Sequence, residues 1–189
     1  MLTLASLFSN ATIALNSVAG ENIDISLSAS GIEPTILIAS SQSAQRYHDK
    51  LAKSNQGIMS KISHYWQNQS LVNGNMSKTP SFAAPGERSF ANKLRLLFVS
   101  RQAGNRAAAR LSTTVLADLK IALGARTCYA LTDPRVAGAV AQTNIFDYRV
   151  LPGPESHFGP PLSSAEVFLQ GEEGKLGGLQ PQGKVSRLL

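Results

Sequence analysis

Three short segments rich in apolar residues stand out from the mixed sequence around them, at residues 35–39, 93–99 and 126–131. The first run, TILIA, has no polar alternation, which is typical of strands that are covered on both faces, as in parallel sheets. A run at residues 11–15 also has the β-branched and apolar content of a short strand. The pattern therefore predicts a sheet built from several short strands.

Helical spacing is clearest between residues 112 and 124. Apolar positions three and four apart form one face, Ser112 can cap the N-terminus, and Gly124 follows the last turn. This helix lies between two predicted strands, so the segment predicts a right-handed βαβ unit. A second helix is predicted from Ser41 or Ser43 to about Lys53.

Residues 68–92 separate two ordered segments. This stretch is rich in Asn, Ser, Gly and Pro and lacks any period, which predicts a mobile surface connection. The chain of 189 residues is then organised as a first α/β segment (1–67), the connection (68–92) and a second α/β segment (93–189). The predicted fold class is α/β, as a partial three-layer domain with a mostly parallel sheet.

The end of the third apolar run is the first candidate site. In open α/β sheets, ligands bind beyond the carboxyl ends of the strands. Tyr129 lies in this run, and Thr132 and Asp133 follow it directly. A ring, a hydroxyl and a carboxylate are therefore expected at one corner of the sheet. The alternative, which the local sequence by itself favours, is that Asp133-Pro134 only starts a turn.

Charge and cysteine content narrow the classes of function. The formal net charge of +6 favours anionic partners, namely nucleotides, nucleic acid or acidic membrane surfaces. Cys128 is the only cysteine, which excludes an internal disulfide and a cysteine-rich zinc site. The sequence shows neither a secretory signal nor a transmembrane segment. We expect an intracellular protein, cytoplasmic or peroxisomal, that is not secreted.

Residues 129–133, YALTD, follow a strand in register with a Tyr-Gly-any-Thr-Glu motif, and here the chain resembles the adenylate-forming (AMP-binding) synthetases. The order of the neighbouring segments supports the resemblance. Residues 96–104 with 111–112 resemble the family's upstream strand, loop and helix start, and 147–149, 157–161, 166–167 and 171–185 resemble its downstream segments. Residues 1–53 resemble the part that follows the phosphate loop. The likeness spans nearly the whole chain, is strongest in residues 94–169, and is of the fungal long-chain acyl-CoA ligase type.

The resemblance implies a function and a role for each matching residue. ATP and Mg²⁺ would activate a carboxylic acid, such as a fatty acid, to acyl-AMP, and coenzyme A would then accept the acyl group. Tyr129 would stack on the adenine. Thr132 and Asp133 would be catalytic, with Thr132 donating to the α-phosphate and Asp133 binding Mg²⁺. Ala103 and Gly104 would let the loop backbone approach the nucleotide closely.

Several parts of such an enzyme have no match in the sequence. No Ser/Thr/Gly-rich phosphate loop with its lysine is present. The ribose-binding aspartate motif and the C-terminal domain with its catalytic lysine are expected outside residues 1–189. Without a phosphate clamp, the electrostatic stabilisation of the departing pyrophosphate is lost. We therefore expect an internal fragment of a synthetase that is inactive on its own.

Two other classes of function compete with this one. The first is a basic module for anions or nucleic acid, based on six basic residues with no acidic residue among them, namely Arg88, Lys93, Arg95, Arg101, Arg106 and Arg110. This class is not favoured because the segment has few aromatic residues for stacking on bases. The second is a non-catalytic interaction protein with exposed sheet edges and apolar surface.

Overall fold

The structure, a computed structural model, describes residues 5–6, 8–16, 23–29, 31–54, 58–76, 88–105, 110–136, 138–149, 153–165 and 167. The elements in chain order are α1 (Ile25–Ser28), β1 (Ile36–Ser40), α2 (Ser41–Ser54), α3 (Ile58–Val72), α4 (Arg88–Ala91), β2 (Leu96–Gln102), α5 (Thr113–Leu123), β3 (Arg126–Asp133), a 3₁₀ turn (Pro134–Val136) and β4 (Gly138–Gln142).

The four strands form one sheet in the order β1-β2-β3-β4. β1, β2 and β3 are parallel, with Ile38 aligned with Phe98 and Phe98 with Cys128. β4 runs antiparallel to β3, and their register shifts between Leu131 and Thr132. The prediction of an α/β fold with a mostly parallel sheet is confirmed.

The helix α5 connects the parallel strands β2 and β3, as predicted. The hydroxyl oxygen of Ser112 accepts a hydrogen bond from the backbone N–H of Val115 at 3.2 Å, which caps the N-terminus. Gly124 ends the helix in the left-handed conformation, with φ of 57°. The predicted helix after β1 is also confirmed, as α2.

The hydrophobic core lies on one face of the sheet. Alternate residues of the strands, among them Val99 and Tyr129, pack there with helical side chains such as Tyr47 and Leu119, and all four are buried. On the opposite face, the side chains of β1 are much less covered. Ile36 is 57% exposed and Ile38 is 53% exposed.

Two sequence-based assignments are wrong. Residues 11–15 have no regular secondary structure, and Leu15 is 83% exposed, so no apolar packing holds this segment as a strand. Residues 68–72 belong to α3 and residues 88–91 to α4, not to the predicted mobile connection, and Phe90 is buried in the core. Leu71 is buried in the core near the end of α3, and tertiary packing of this kind stabilises a helix that has weak intrinsic signals.

The predicted division of the chain at residues 67 and 68 falls inside α3. β1 of the first segment pairs with β2 of the second, so both segments contribute to one sheet. Residues 77–87 of the predicted connection lie outside the described residues. In the described part of the chain, no helix has the length and apolar character to cross a membrane.

Candidate functional site

A cavity of about 360 Å³ lies where the parallel strands end. This volume is within the range of about 300–1,000 Å³ that is typical of ligand pockets. Its position matches the ligand crevice of open α/β sheets. The lining comes from the ends of β1, β2 and β3 and from the turn into β4: Ser40, Ser41, Ser100, Gln102, Thr132, Asp133, Pro134 and Gly138.

Two hydroxyl groups of the cavity form long hydrogen bonds to the backbone. Ser100 Oγ donates to the carbonyl oxygen of Ala39 at 3.4 Å. Thr132 Oγ1 donates to the carbonyl oxygen of Arg101 at 3.3 Å. Hydrogen bonds of the O–H···O type are usually about 2.7–2.8 Å long. Each hydroxyl group can therefore donate to a stronger acceptor instead, such as a phosphate oxygen, at a small cost in free energy.

The helix α2 begins at the cavity wall. Its first residue, Ser41, follows β1 directly, and Ser40 caps the helix by accepting a hydrogen bond from the backbone N–H of Ser43 at 3.1 Å. The N-terminus of a helix carries a partial positive charge and favours anions. The 14 residues of α2 give this helix enough turns to develop that dipole.

The Asp133 carboxylate is buried beside the cavity and is fully engaged by Arg135. Asp133 Oδ1 accepts from the backbone N and from Nε of Arg135 at 2.9 and 3.0 Å, and Oδ2 accepts from Nη2 at 2.7 Å. These bonds lower the pKa of the Asp133 carboxyl below its usual value, so the group is ionised near neutral pH. The local geometry is that of an aspartate that starts a turn.

A resident Mg²⁺ does not fit this arrangement. Both oxygens of Asp133 are bound to Arg135, and Asp133 is the single carboxylate among the described residues that line the cavity. Mg²⁺ is usually held by one or two carboxylates together with substrate phosphates. Among the residues that the structure describes, no group of three or more His, Cys, Asp or Glu could hold a metal ion.

Tyr129 lies away from the cavity, in the core. Its ring has no exposed surface, and it lies 4.6 Å from the ring of Phe158, centroid to centroid, at an angle of 34°. Its hydroxyl oxygen accepts a hydrogen bond from the backbone N–H of Leu111 at 3.2 Å, and burial raises its pKa. The structure therefore brings Thr132 and Asp133 together but does not bring Tyr129 to them.

Ala103 and Gly104 follow β2 close to the site, but they are not among the residues that line the cavity. The backbone N–H of Ala103 donates to the carbonyl oxygen of Thr132 at 2.7 Å, which fixes the loop against β3. Gly104 has φ of 81° with open space around its Cα. Of the downstream segments in the resemblance, Glu166 and residues 171–185 lie outside the described part.

Ser40 and Ser100 are cavity residues that the sequence analysis did not single out. Each ends or nearly ends an apolar strand, as Thr132 does. The rule that pointed to Thr132 would have found both of them if it had been applied to all three parallel strands. Gln102 and Gly138 carry no such signal, because their positions depend on where β2 ends and on the unpredicted strand β4.

A separate polar cluster joins three helices. His48 Nε2 of α2 lies 2.8 Å from Asp118 Oδ2, and His64 Nε2 of α3 lies 2.7 Å from Asp118 Oδ1. Asp118 belongs to α5. The hydrogen bond to Asp118 raises the pKa of His48 above its usual value, although partial burial opposes the shift. From the sequence these histidines look unrelated, because their separation along the chain gives no spacing signal.

No protein-family model matches this chain, and no curated protein matches it either.

Proposed function

We propose that this chain binds an adenine nucleotide, ATP or AMP, in the cavity at the carboxyl ends of β1, β2 and β3, as a fragment similar to the adenylate-forming synthetases. One observation carries the proposal: hydroxyl groups from the ends of all three parallel strands converge on the cavity, beside the N-terminus of α2. The motif at residues 129–133 supplies Thr132 and Asp133 to the same place.

The residues of the cavity support binding of the phosphate part of the ligand. Thr132 and Ser100 offer hydroxyl protons that are now in long hydrogen bonds to the backbone. Arg135 is 68% exposed at its side chain and is held by Asp133. A guanidinium that is positioned by a buried carboxylate can present its other N–H groups to a phosphate. In this proposal Asp133 positions Arg135.

The adenine would not stack on Tyr129 in the way that the resemblance implies, because that ring is buried in the core. Tyr129 and Phe158 cover each other's rings, and a base could stack on Tyr129 only after Phe158 moved away. Coenzyme A and a fatty or other carboxylic acid as substrate stay predictions of the resemblance, whereas the Mg²⁺ that it also implies does not fit at Asp133, because both carboxylate oxygens are bound to Arg135. We expect the chain by itself to bind nucleotide without forming acyl-AMP, because the sequence contains no phosphate clamp.

The test is equilibrium binding of ATP and of AMP by calorimetry, with the Thr132→Val variant. This substitution keeps the shape of the side chain and removes the hydroxyl. The loss of a hydrogen bond to a charged phosphate costs about 1.5–3 kcal/mol, so we expect affinity for at least one of the two nucleotides to fall about tenfold or more. Thr12→Val, at an exposed position outside the cavity, is the matched control. Absence of saturable binding to the unmodified chain, or equal affinity in Thr132→Val, would overturn the proposal.

The nucleic-acid alternative gains little support. Of the six basic residues that motivated it, Lys93 forms an ion pair with Glu33 and Arg110 with Glu155. These pairs reduce the positive potential of the segment. The interaction-protein alternative has one specific observation in its favour, namely the exposed Ile36 and Ile38 on β1. Its test is the self-association of the chain with and without these two apolar side chains.

A further inference from the structure

A second cavity, of about 70 Å³, lies between α5 and the segment that follows β4. It shares no lining residue with the cavity at the strand ends. A water molecule needs about 10–15 Å³ of such space, so the volume corresponds to about five to seven water positions. This is enough for a small anion and too little for a nucleotide.

Lys120 is the buried cation of this cavity. Its side chain belongs to α5, and the residue is only 9% exposed. Its Nζ lies 3.5 Å from the backbone carbonyl oxygen of Asp147, which is at the limit of a hydrogen bond. Burial lowers the pKa of this lysine. A buried ammonium without a close counter-ion is costly, and a bound anion would remove that cost.

Ser156 provides a second unsatisfied group. The residue is 4% exposed, and its Oγ has no hydrogen-bond partner. Its backbone N–H donates to the carbonyl oxygen of Leu111 at 3.0 Å, which fixes its position. A buried hydroxyl without a hydrogen-bond partner is unfavourable, and a ligand that accepts its hydrogen bond would remove this cost. Lys120 and Ser156 both line the cavity, and both can donate a hydrogen bond to the same ligand.

The charges around the cavity favour a single negative charge on the ligand. The charged or titratable side chains in its lining are Lys120, Asp147, Arg149 and His157. Asp147 and Arg149 form a bidentate pair at 2.9 and 2.8 Å and so balance each other. His157 Nδ1 accepts from the backbone N–H of Gly159 at 2.9 Å, which leaves its proton on Nε2 when the ring is neutral. Asp147 also attracts Lys120 electrostatically, but both oxygens of its carboxylate are held by Arg149.

We propose that this cavity is a binding site for a small oxyanion, a carboxylate or phosphate, with Lys120 Nζ as the counter-ion and Ser156 Oγ as a hydrogen-bond donor. The site is independent of the proposed nucleotide cavity, so either one can fail without the other.

The test uses the full chain in a zwitterionic buffer of low chloride content. Inorganic phosphate and acetate are titrated in separate arms by calorimetry, and thermal unfolding is followed at each concentration. We expect saturable binding of at least one of them. Lys120→Met, which keeps the length of the side chain, should weaken this binding at least tenfold, and Ser156→Ala should weaken it severalfold. Lys53→Met, at an exposed lysine on α2, should leave it unchanged.

Two results would overturn the proposal. One is the absence of saturable binding of both anions to the unmodified chain. The other is unchanged affinity in Lys120→Met. Lys120→Met should fold, because it removes a charge that burial disfavours, and far-UV circular dichroism checks this. If it does not fold, Ser156→Ala decides: an affinity equal to that of the unmodified chain rejects the site.

Discussion

The hydroxyl oxygen of Tyr129 accepts a hydrogen bond from the backbone N–H of Leu111 at 3.2 Å, and both residues are buried. This bond joins the middle of β3 to the segment just before α5. It satisfies a buried N–H group that has no place in a helix or strand. The tyrosine of the YALTD motif therefore has a structural role in this chain.

The first prediction concerns this bond. Tyr129→Phe keeps the ring but leaves the N–H of Leu111 without its partner, and such a loss costs about 1–3 kcal/mol. We expect the free energy of unfolding in urea to fall by about 2 kcal/mol. Tyr65→Phe, at a tyrosine that is 61% exposed, is the control and should change stability by less than about 0.5 kcal/mol. Equal effects of the two substitutions would contradict the assignment.

The second prediction concerns the cluster of His48, His64 and Asp118. Because the folded state raises the pKa of His48 above its usual value of 6.5, the folded chain holds this proton more tightly than the unfolded chain. The stabilisation is then fully present below pH 6.5 and is lost as the pH rises through the folded-state pKa. We expect the free energy of unfolding to be lower at about pH 8 than at about pH 6.

His48→Gln is the matched variant for this pH dependence. It should remove the part of the pH dependence that belongs to His48 while it keeps a hydrogen-bond donor near Asp118. Asp49, whose Oδ1 lies 3.6 Å from His48 Nδ1, and His64 also face the cluster and remain in the variant. Urea titrations at several pH values measure the effect. A pH profile that is identical in the variant and the unmodified chain would reject the role of His48.

The third prediction concerns Gly159. Its φ is 79°, and a Cβ at this position would overlap Gln142 O and lie 2.6 Å from Gln142 C and 2.9 Å from Thr143 Cα. All three are backbone atoms, which cannot move away as a side chain can. We expect Gly159→Ala to lower the free energy of unfolding by about 3 kcal/mol, from overpacking and backbone strain together.

Gly74→Ala is the matched control for Gly159. Gly74 has φ of 80°, but a Cβ added there would have nothing within 4 Å, so its cost is backbone strain alone, about 1 kcal/mol. Thermal or urea unfolding of the two variants separates crowding from strain. Equal destabilisation would mean that the segment around Gly159 does not pack closely on the end of β4.

The fourth prediction concerns the exposed isoleucines of β1. The double substitution Ile36→Thr and Ile38→Thr removes apolar surface from the uncovered face and keeps the β-branched shape that strands favour. We expect lower self-association, measured by light scattering over a range of concentrations, with a change in stability below about 1 kcal/mol. Ile62→Thr, at an isoleucine of α3 that is 50% exposed, is the control. Self-association that falls equally in the control would show general loss of apolar surface as the cause.

The parallel strands and the helix α5 were predictable because their sequence signals are local. The run at residues 35–39 is apolar throughout, and Ser112 and Gly124 mark both ends of α5. The helix α3 (Ile58–Val72) was not predicted, because its stability depends on the burial of Leu71 in a core that the local pattern does not show. The strand β4 was not predicted, because it is short and pairs with β3 only through the turn that begins at Pro134.

The candidate site was predictable in part. The position of Thr132 and Asp133 follows from the rule for strand ends. Asp133 pairs with Arg135, only two residues further along the chain. This local contact agrees with the alternative that Asp133-Pro134 starts a turn. The burial of Tyr129 was not predictable, because it depends on Phe158, which is far away in the sequence and packs on the ring. Lys120 and Ser156 are likewise brought together by the fold alone.

The antiparallel strand β4 determines at which edge the sheet can be extended. Its outer side already meets the segment at Pro161, through a bridge with Ala141 and a hydrogen bond from Leu162 N to Val140 O at 2.9 Å. In the described part of the chain, β1 is then the side at which a further strand can be added. A strand from another polypeptide would pair with β1 there, beside Ile36. It would extend the sheet and leave the cavity residues on β3 in place.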